Sequence, residues 1–244
     1  MRMMMATAVL GLIAGVGGTT LGGLLVVWLG RVADRYLSPL LAFAAGVMLS
    51  LVVFDMMPSA LSASGPVHTC IGAGIGFVAI YVSEKVVRVL ERRMLGSQDT
   101  LVSIGLTVGA AIGLHNFAEG LAIGAGLVIM VELGITVAVL ITIHNIPEGM
   151  AMAVPFKLRG MRSVTILLLT TLAGLPMGAG ALIGYFGSVS RAFLGFSLAF
   201  SLGAMVYVSV IDLIPSSVRL SSRSEALIGL LGGVLLGFLA VWAI

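Results

Sequence analysis

The chain is divided by its hydropathy into long apolar runs that are separated by short polar segments. Each run is long enough to cross a bilayer as an α-helix, which takes about 20 residues. Only 9% of the residues are charged, against about 25% in a soluble domain. The pattern predicts an all-α polytopic membrane protein with eight transmembrane helices in one domain, residues 1–244, with the lipid bilayer as its surroundings. The runs are roughly 5–30, 37–60, 67–90, 101–130, 132–156, 163–187, 190–214 and 225–244.

The basic residues lie almost entirely on one side of these predicted membrane segments. Eleven of the thirteen Lys and Arg residues follow or close odd-numbered runs, and only Arg2 and Arg191 fall on the other side. Because cytoplasmic loops carry the excess of Lys and Arg, both termini are predicted to lie outside the cytoplasm of a cell (inner) membrane. This placement explains the net charge of +3 without nucleic acid as a partner.

Two distant segments of the chain align with each other without gaps. Residues 41–61 align on residues 198–218, and the match brings Asp55 onto Asp212 and a proline onto a proline three residues later. The three runs within 5–90 therefore form one copy of a unit and the three within 163–244 a second copy. An odd number of crossings reverses the second copy, so we expect an inverted 3+2+3 repeat with 101–156 in the middle. Inverted repeats are typical of secondary transporters with a substrate site near the midplane.

The two middle runs carry one polar motif twice, as "HNFAEG" and "HNIPEG". Within each motif His and Glu are four residues apart and share a helix face. Counting outward from a turn near Val131 puts His115 level with Glu148, and Glu119 level with His144, in an antiparallel helix pair. The two levels are about 6 Å apart at 1.5 Å per residue, so all four side chains are expected near mid-membrane.

Carboxylates at that depth need a partner, because each costs about 2.5–3.5 kcal/mol near the bilayer centre on insertion scales. No Lys or Arg lies in the middle of any apolar run, which leaves protonation or a bound cation. Two imidazoles beside two carboxylates are the ligand set of a divalent transition metal such as zinc or iron. The alternative is that His and Asn only hydrogen-bond to neighbouring helices, but two copies at one depth favour a metal site. The candidate ligands are His115, Asn116, Glu119, His144, Asn145 and Glu148.

Asp55 and Asp212 lie near the ends of their runs, each three residues before a proline. As carboxylates at an entrance and an exit they would attract cations. As helix-end polar groups they would hydrogen-bond to exposed backbone. Both interpretations stay open at this point.

The apolar runs, the paired motifs and the repeat together resemble the ZIP (Zrt/Irt-like) family of divalent metal transporters, in a short prokaryotic form. The resemblance implies import of zinc, and often of iron, manganese, cobalt or cadmium, into the cytoplasm. It also implies elevator-like movement of the bundle that holds the site, and it suggests a homodimer.

The same resemblance implies a two-metal site. Its first metal would be held by His115, Glu119 and Glu148, joined by Met48 of the second run. Its second metal would be held by Asn116, Asn145 and Glu148. The chain departs from the family pattern at Leu175, where many members carry a glutamate before the proline of the sixth run. The second position is therefore expected to be the weaker one.

The alternative class is a membrane-embedded metal-dependent enzyme, such as an intramembrane protease. A zinc protease needs the spacing HExxH, and the chain has neither this motif nor an evident Ser–His or Cys–His arrangement. We therefore expect no enzyme activity, with zinc or another divalent transition metal as transported substrate.

Overall fold

The computed structural model describes residues 2–29, 31–95, 100–187, 191–220 and 222–242, and every element in them is helical. The predicted run ends at residues 30, 190 and 243–244 lie outside this part of the chain. Three π-helical turns, at Ile13–Gly17, Val52–Met56 and Val208–Leu213, join α-helices into longer rods. The α-helices are α1 (Arg2–Leu12), α2 (Gly18–Leu29), α3 (Arg31–Leu51), α4 (Met57–Leu95), α5 (Thr100–Ile129), α6 (Val131–Leu158), α7 (Ser163–Gly187), α8 (Arg191–Tyr207), α9 (Ile214–Leu220) and α10 (Arg223–Trp242).

Seven helical stretches in the described residues are long and apolar enough to cross a membrane, which confirms the expected all-α polytopic class. The longest is Pro39–Leu90, with 52 residues. Its helical path is broken at Gly65, where φ is 76° and ψ is 168°. Glycine adopts a positive φ without the steric penalty of a Cβ, and Pro66 follows it directly. The chain can therefore change direction at this point.

Short connections before and after α6 fix the helix pair that carries the motifs. Met130 is extended, with φ of −162° and ψ of 127°, and separates α5 from α6, one residue from the predicted turn. At the other end Gly160 has φ of 77°. The Gly160 amide donates to the Lys157 carbonyl at 2.9 Å, and the Met161 amide donates to the Phe156 carbonyl at 3.1 Å. This Schellman motif satisfies carbonyls that the helix end would otherwise leave unpaired.

The helices pack as two bundles. In the first, which we call the site bundle, α5 packs against α6 and α7, α2 against α6, and α1 against α7. In the second, the flanking bundle, α4 packs against α8, and α3 against α10 and α9. The two bundles meet where α5 contacts α8 and α4, and where α3 contacts α6.

Glycines bring the helices of each bundle into backbone contact. In the flanking bundle, a Cβ on Gly46 would lie 2.3 Å from the Leu230 carbonyl oxygen, and one on Gly203 would lie 1.9 Å from that of Ala73. In the site bundle, a Cβ on Gly149 would lie 2.0 Å from the Thr19 carbonyl oxygen. Among the described glycines, each such close approach joins helices of the same bundle. Small residues allow this packing in membranes, so each bundle is tightly joined within itself.

Replacing Gly76 by alanine is expected to destabilise the flanking bundle by about 1–3 kcal/mol, the usual cost of overpacking. The new Cβ would lie 1.9 Å from the Phe200 carbonyl oxygen, so α4 and α8 would have to separate. Gly74 is the matched control, because a Cβ there meets nothing within 4 Å. Thermal unfolding in detergent should show a lower midpoint for Gly76→Ala than for Gly74→Ala. Equal midpoints would contradict the packing.

Candidate metal site

Two His–Glu pairs join α5 to α6 in the interior of the site bundle. His115 Nε2 lies 2.8 Å from Glu148 Oε2, and His144 Nε2 lies 3.0 Å from Glu119 Oε1. All four residues are at most 1% exposed. The predicted cross-pairing of the two motifs is therefore confirmed, because the antiparallel helices bring each histidine level with the glutamate of the other motif.

The two asparagines tie this helix pair to its neighbours. Asn116 Nδ2 donates to the Ala173 carbonyl of α7 at 3.0 Å, and Asn145 Nδ2 donates to the Ala14 carbonyl at 3.1 Å. A carbonyl oxygen only accepts hydrogen bonds, so each amide must turn its NH2 group toward it, and these contacts fix which way each amide points. Both amide oxygens are buried and have no hydrogen-bond partner.

The motif side chains retain buried polar atoms that have no hydrogen-bond partner. Such atoms are rare in native structures and call for an explanation. Imidazole nitrogen, carboxylate oxygen and amide oxygen can all serve as ligand atoms for a divalent cation. In this conformation the groups form two hydrogen-bonded pairs, and no three His, Cys, Asp or Glu side chains of the described residues converge on one point. The unpartnered atoms are His115 Nδ1, Asn116 Oδ1, Glu119 Oε2, His144 Nδ1, Asn145 Oδ1 and Glu148 Oε1.

A cavity of about 510 Å³ leads to one of the two pairs. Its wall includes Met130 of the α5–α6 connection, Arg191 at the start of α8, Asp55 and His144. Of the two pairs, the one formed by His144 and Glu119 therefore lies next to this opening. Asp55 sits half-buried on the wall of the cavity, in the π turn between α3 and α4.

The other predicted residues lie apart from this cavity. Asp212 occupies the π turn Val208–Leu213 and keeps an unpartnered buried Oδ2 atom. Met48 is fully buried in the large apolar cluster that also contains Met205, and its role as a ligand stays a prediction. Leu175 is 43% exposed on the surface of α7, so its side chain does not fill the space between the motifs.

Several contacts at the site had no signal in the sequence. The carbonyls of Ala14 and Ala173 are backbone groups, which no motif reports. The Ser201 hydroxyl of the flanking bundle donates to the His115 carbonyl at 3.4 Å. Met177 of α7 accepts from Asn145 Nδ2 through its sulfur, with a distance of 3.9 Å. Its position two residues after Leu175 was the available hint.

A second polar cluster lies within the flanking bundle. Glu84 accepts from the Arg88 guanidinium one turn away, as its i, i+4 spacing indicates, and from the Tyr207 hydroxyl of α8. The Tyr207 ring packs edge-on against Phe77 at 4.9 Å between centroids. This cluster joins α4 to α8 and holds a carboxylate that would otherwise be buried alone.

Membrane-length helices around a buried His, Glu and Asn cluster define a multi-pass membrane protein with a polar site inside it. Residues 91–244 match the family model described as "ZIP Zinc transporter". This match covers more than half of the chain and includes both motifs, so the chain belongs to the ZIP zinc transporter family. Proteins of that family are transporters rather than enzymes, which favours the first of the two classes weighed above.

A curated relative supports the same assignment. The chain is 31% identical over 138 residues to the protein named "Zinc transporter ZupT" of Chlorobium limicola (strain DSM 245 / NBRC 103803 / 6330). The similarity covers 48% of this chain and 51% of the relative, so the chain spans about half the length of the curated relative it matches.

Proposed function

We propose that this protein transports divalent transition-metal ions, with zinc as the first candidate, through the site formed by the two motifs. The observation that carries the proposal is the set of unpartnered nitrogen and oxygen atoms on His115, Asn116, Glu119, His144, Asn145 and Glu148. A purely structural cluster would satisfy these atoms within the protein. Cations bound between the two motifs would supply partners for such atoms. Iron, manganese, cobalt and cadmium suit the same ligands.

The two metal positions follow the family's ligand sets. The first takes His115, Glu119 and Glu148, with Met48 as a further ligand. The second takes Asn116, Asn145 and Glu148. Of the motif residues, His144 is the first that an ion entering through the cavity reaches, because this histidine lines it. Since each histidine contacts a glutamate in this conformation, ion binding opens those hydrogen bonds.

The proposed architecture is one membrane domain, residues 1–244, with eight crossings and both termini outside the cytoplasm. The 52-residue stretch Pro39–Leu90 is about 78 Å long at 1.5 Å per residue. Because the hydrocarbon core is about 30 Å thick, the break at Gly65 divides this stretch into two crossings. The units at 5–90 and 163–244 then enclose the helix pair within 101–156.

Equivalent contacts in the two units support the inverted repeat. Gly46 approaches the Leu230 carbonyl as Gly203 approaches that of Ala73, and all four positions are related by the 157-residue offset. The π turns Val52–Met56 and Val208–Leu213 also correspond under that offset. The 157-residue offset would pair Gly180 of the sixth crossing with Gly23 of the first, but the contacts pair it with Gly22. Gly22 approaches the Ile146 carbonyl and Gly180 that of Phe117, at equivalent places in the two motifs.

We propose that the site bundle moves as one body against the flanking bundle and carries the ion into the cytoplasm. Backbone contact through glycines within each bundle supports this division, as described above. The cavity beside Met130 and Arg191 is then the extracytoplasmic opening, in agreement with the distribution of basic residues. A homodimer in the cell (inner) membrane would form through surfaces outside this pathway.

Uptake of radioactive zinc into proteoliposomes tests the transport function. Wild-type protein is expected to accumulate zinc, whereas His115→Ala and Glu148→Ala should reduce uptake to the level of empty liposomes, because each removes one half of a pair. Size-exclusion profiles in detergent show whether the variants fold. Unchanged uptake in both folded variants would contradict the proposal. Metal-dependent cleavage of a membrane peptide would favour the enzyme alternative.

Asp55 is proposed as the entrance carboxylate and Asp212 as the exit carboxylate. Replacing Asp55 by asparagine should raise the KM for zinc several-fold at low ionic strength, because a carboxylate on the cavity wall concentrates cations. Arg191→Gln is the matched control of opposite charge in the same cavity and should lower the KM. Both effects should shrink as salt rises to 0.5 M or so, where charges are screened within a few ångströms. Shifts of the same sign in the two variants would contradict this role.

A further inference from the structure

Met177 places a sulfur atom beside one half of the motif site. It lies in α7, and its side chain is fully buried. Its Sδ atom lies 3.9 Å from Asn145 Nδ2. The apolar cluster around it contains Ala14, Ile123 and Ile141. The thioether is therefore held against a candidate ligand residue within otherwise apolar surroundings.

Asn145 contacts this sulfur through its side-chain nitrogen and keeps its side-chain oxygen without a partner. Its Nδ2 atom donates both to the Ala14 carbonyl and to Met177 Sδ. Its Oδ1 atom is buried and has no partner. The Asn145 side chain thus presents an oxygen ligand atom that has no partner, and it contacts a sulfur ligand atom through a long, weak hydrogen bond. Met177 can change rotamer without leaving the site, because its side chain has three rotatable bonds.

The sulfur occurs in only one half of the pseudo-symmetric site. Gly120 approaches the Met177 carbonyl as Gly149 approaches the Thr19 carbonyl, so Thr19 occupies the position related to Met177. The Thr19 hydroxyl donates to the carbonyls of Gly15 and Thr170, at 2.8 and 2.9 Å. The Thr19 side chain is therefore engaged in packing α2 against α7. At these two related positions the halves therefore differ in chemistry, with a thioether at one and a hydroxyl at the other.

We infer that Met177 supplies a thioether ligand to the cation held by Asn145 and Glu148, and that it gives this position a preference for thiophilic divalent cations such as Cd²⁺ over Zn²⁺. This inference rests on the proposed transport function. Of these two α7 residues, Leu175 is exposed, whereas Met177 is buried and contacts Asn145, a proposed ligand of the second position. A soft sulfur ligand favours a soft cation over a harder one.

Competition binding of Cd²⁺ and Zn²⁺ to purified protein in detergent tests the inference. All variants are built on Cys70→Ser, because the exposed Cys70 thiol would bind cadmium. Met177→Leu should lower the ratio of Cd²⁺ to Zn²⁺ affinity by at least about tenfold, the lower end of what a supporting group near a metal contributes. Met152→Leu removes another buried methionine of the site bundle and should leave the ratio unchanged.

The outcomes separate the inference from the function on which it rests. An unchanged ratio in Met177→Leu, or an equal fall in Met152→Leu, overturns the inference while leaving transport intact. If Met177 had only a structural role, its replacement would weaken the binding of both metals alike and leave the affinity ratio unchanged. If the wild-type protein binds neither metal, the proposed function and the inference are overturned together. The same holds if the His115→Ala variant binds both metals as tightly as the protein without this substitution.

X-ray absorption of bound cadmium provides a measurement that needs no Met177 variant. The protein carries Met48→Leu and Cys70→Ser, which remove the other proposed sulfur ligand and the free thiol. Cadmium–sulfur scattering in this protein supports the inference. A spectrum with only nitrogen and oxygen neighbours overturns it.

Discussion

Cross-linking α5 to α8 is expected to stop zinc uptake completely. Ala122 of α5 and Leu198 of α8 pack in one apolar cluster, and they belong to the site bundle and the flanking bundle. Cysteines at these two positions, in a Cys70→Ser background, can be joined by a short bifunctional thiol reagent with a cleavable disulfide. In the movement proposed above the ion crosses only when one bundle moves against the other, so fixing the two together is expected to leave the site facing one side. Reductive cleavage should restore uptake.

A cross-link within one bundle is the control. The hydroxyls of Thr20 and Thr171 lie 3.0 Å apart between α2 and α7, and cysteines there would join two helices of the site bundle. This link should leave uptake near the level of the parent protein. Full transport by protein whose α5–α8 link is verified by mass spectrometry would show that the bundles need not move apart. Loss of transport with the control link would show that the site bundle must deform internally.

Replacing both Glu119 and Glu148 by glutamine is expected to abolish the stabilisation of the protein by zinc. A ligand present at 100 times its Kd stabilises a folded protein by about 2.7 kcal/mol, so wild-type protein should show a clear rise in melting temperature. The double variant keeps a carbonyl acceptor for each histidine but has no anionic ligand. Its melting temperature should therefore not respond to zinc.

Without metal, the wild-type protein should no longer be more stable than the double variant. Glu119 and Glu148 are fully buried, and burying a carboxylate is unfavourable even when it contacts a histidine. We expect the metal-free double variant to melt at or above the temperature of metal-free wild type. A large loss of stability in the variant would mean that the carboxylates are structural. An undiminished response to zinc would mean that the metal binds elsewhere.

The sequence predicted the pairing at the site because two rules were enough. The i, i+4 spacing placed His115 with Glu119 on one helix face, and the position of the turn placed His115 opposite Glu148. Both rules depend only on helix geometry, and helices in a membrane are long and regular. The cross-pairing therefore needed no knowledge of the tertiary fold.

The same two rules do not predict the division into two bundles. The repeat groups the first three crossings with one another, whereas in the structure α2 packs on α6 of the middle pair and α3 packs on α10. Partner choice depends on which glycine faces which backbone carbonyl across two helices, as Gly149 faces that of Thr19. One-dimensional periodicity carries no information on that choice. Sequence alone also does not distinguish Met177, since a buried methionine is ordinarily a packing residue.

The 157-residue offset between the two repeated units predicts a second conformation of the protein. The cavity that reaches His144 is walled by Asp55 and Leu198, whose counterparts in the other unit are Asp212 and Leu41. If the two units exchange conformations, a cavity on the opposite face would be walled by Asp212 and Leu41 and would reach His115. Leu41 is now 1% exposed, so its contact with water would mark the conformation that opens on that opposite face.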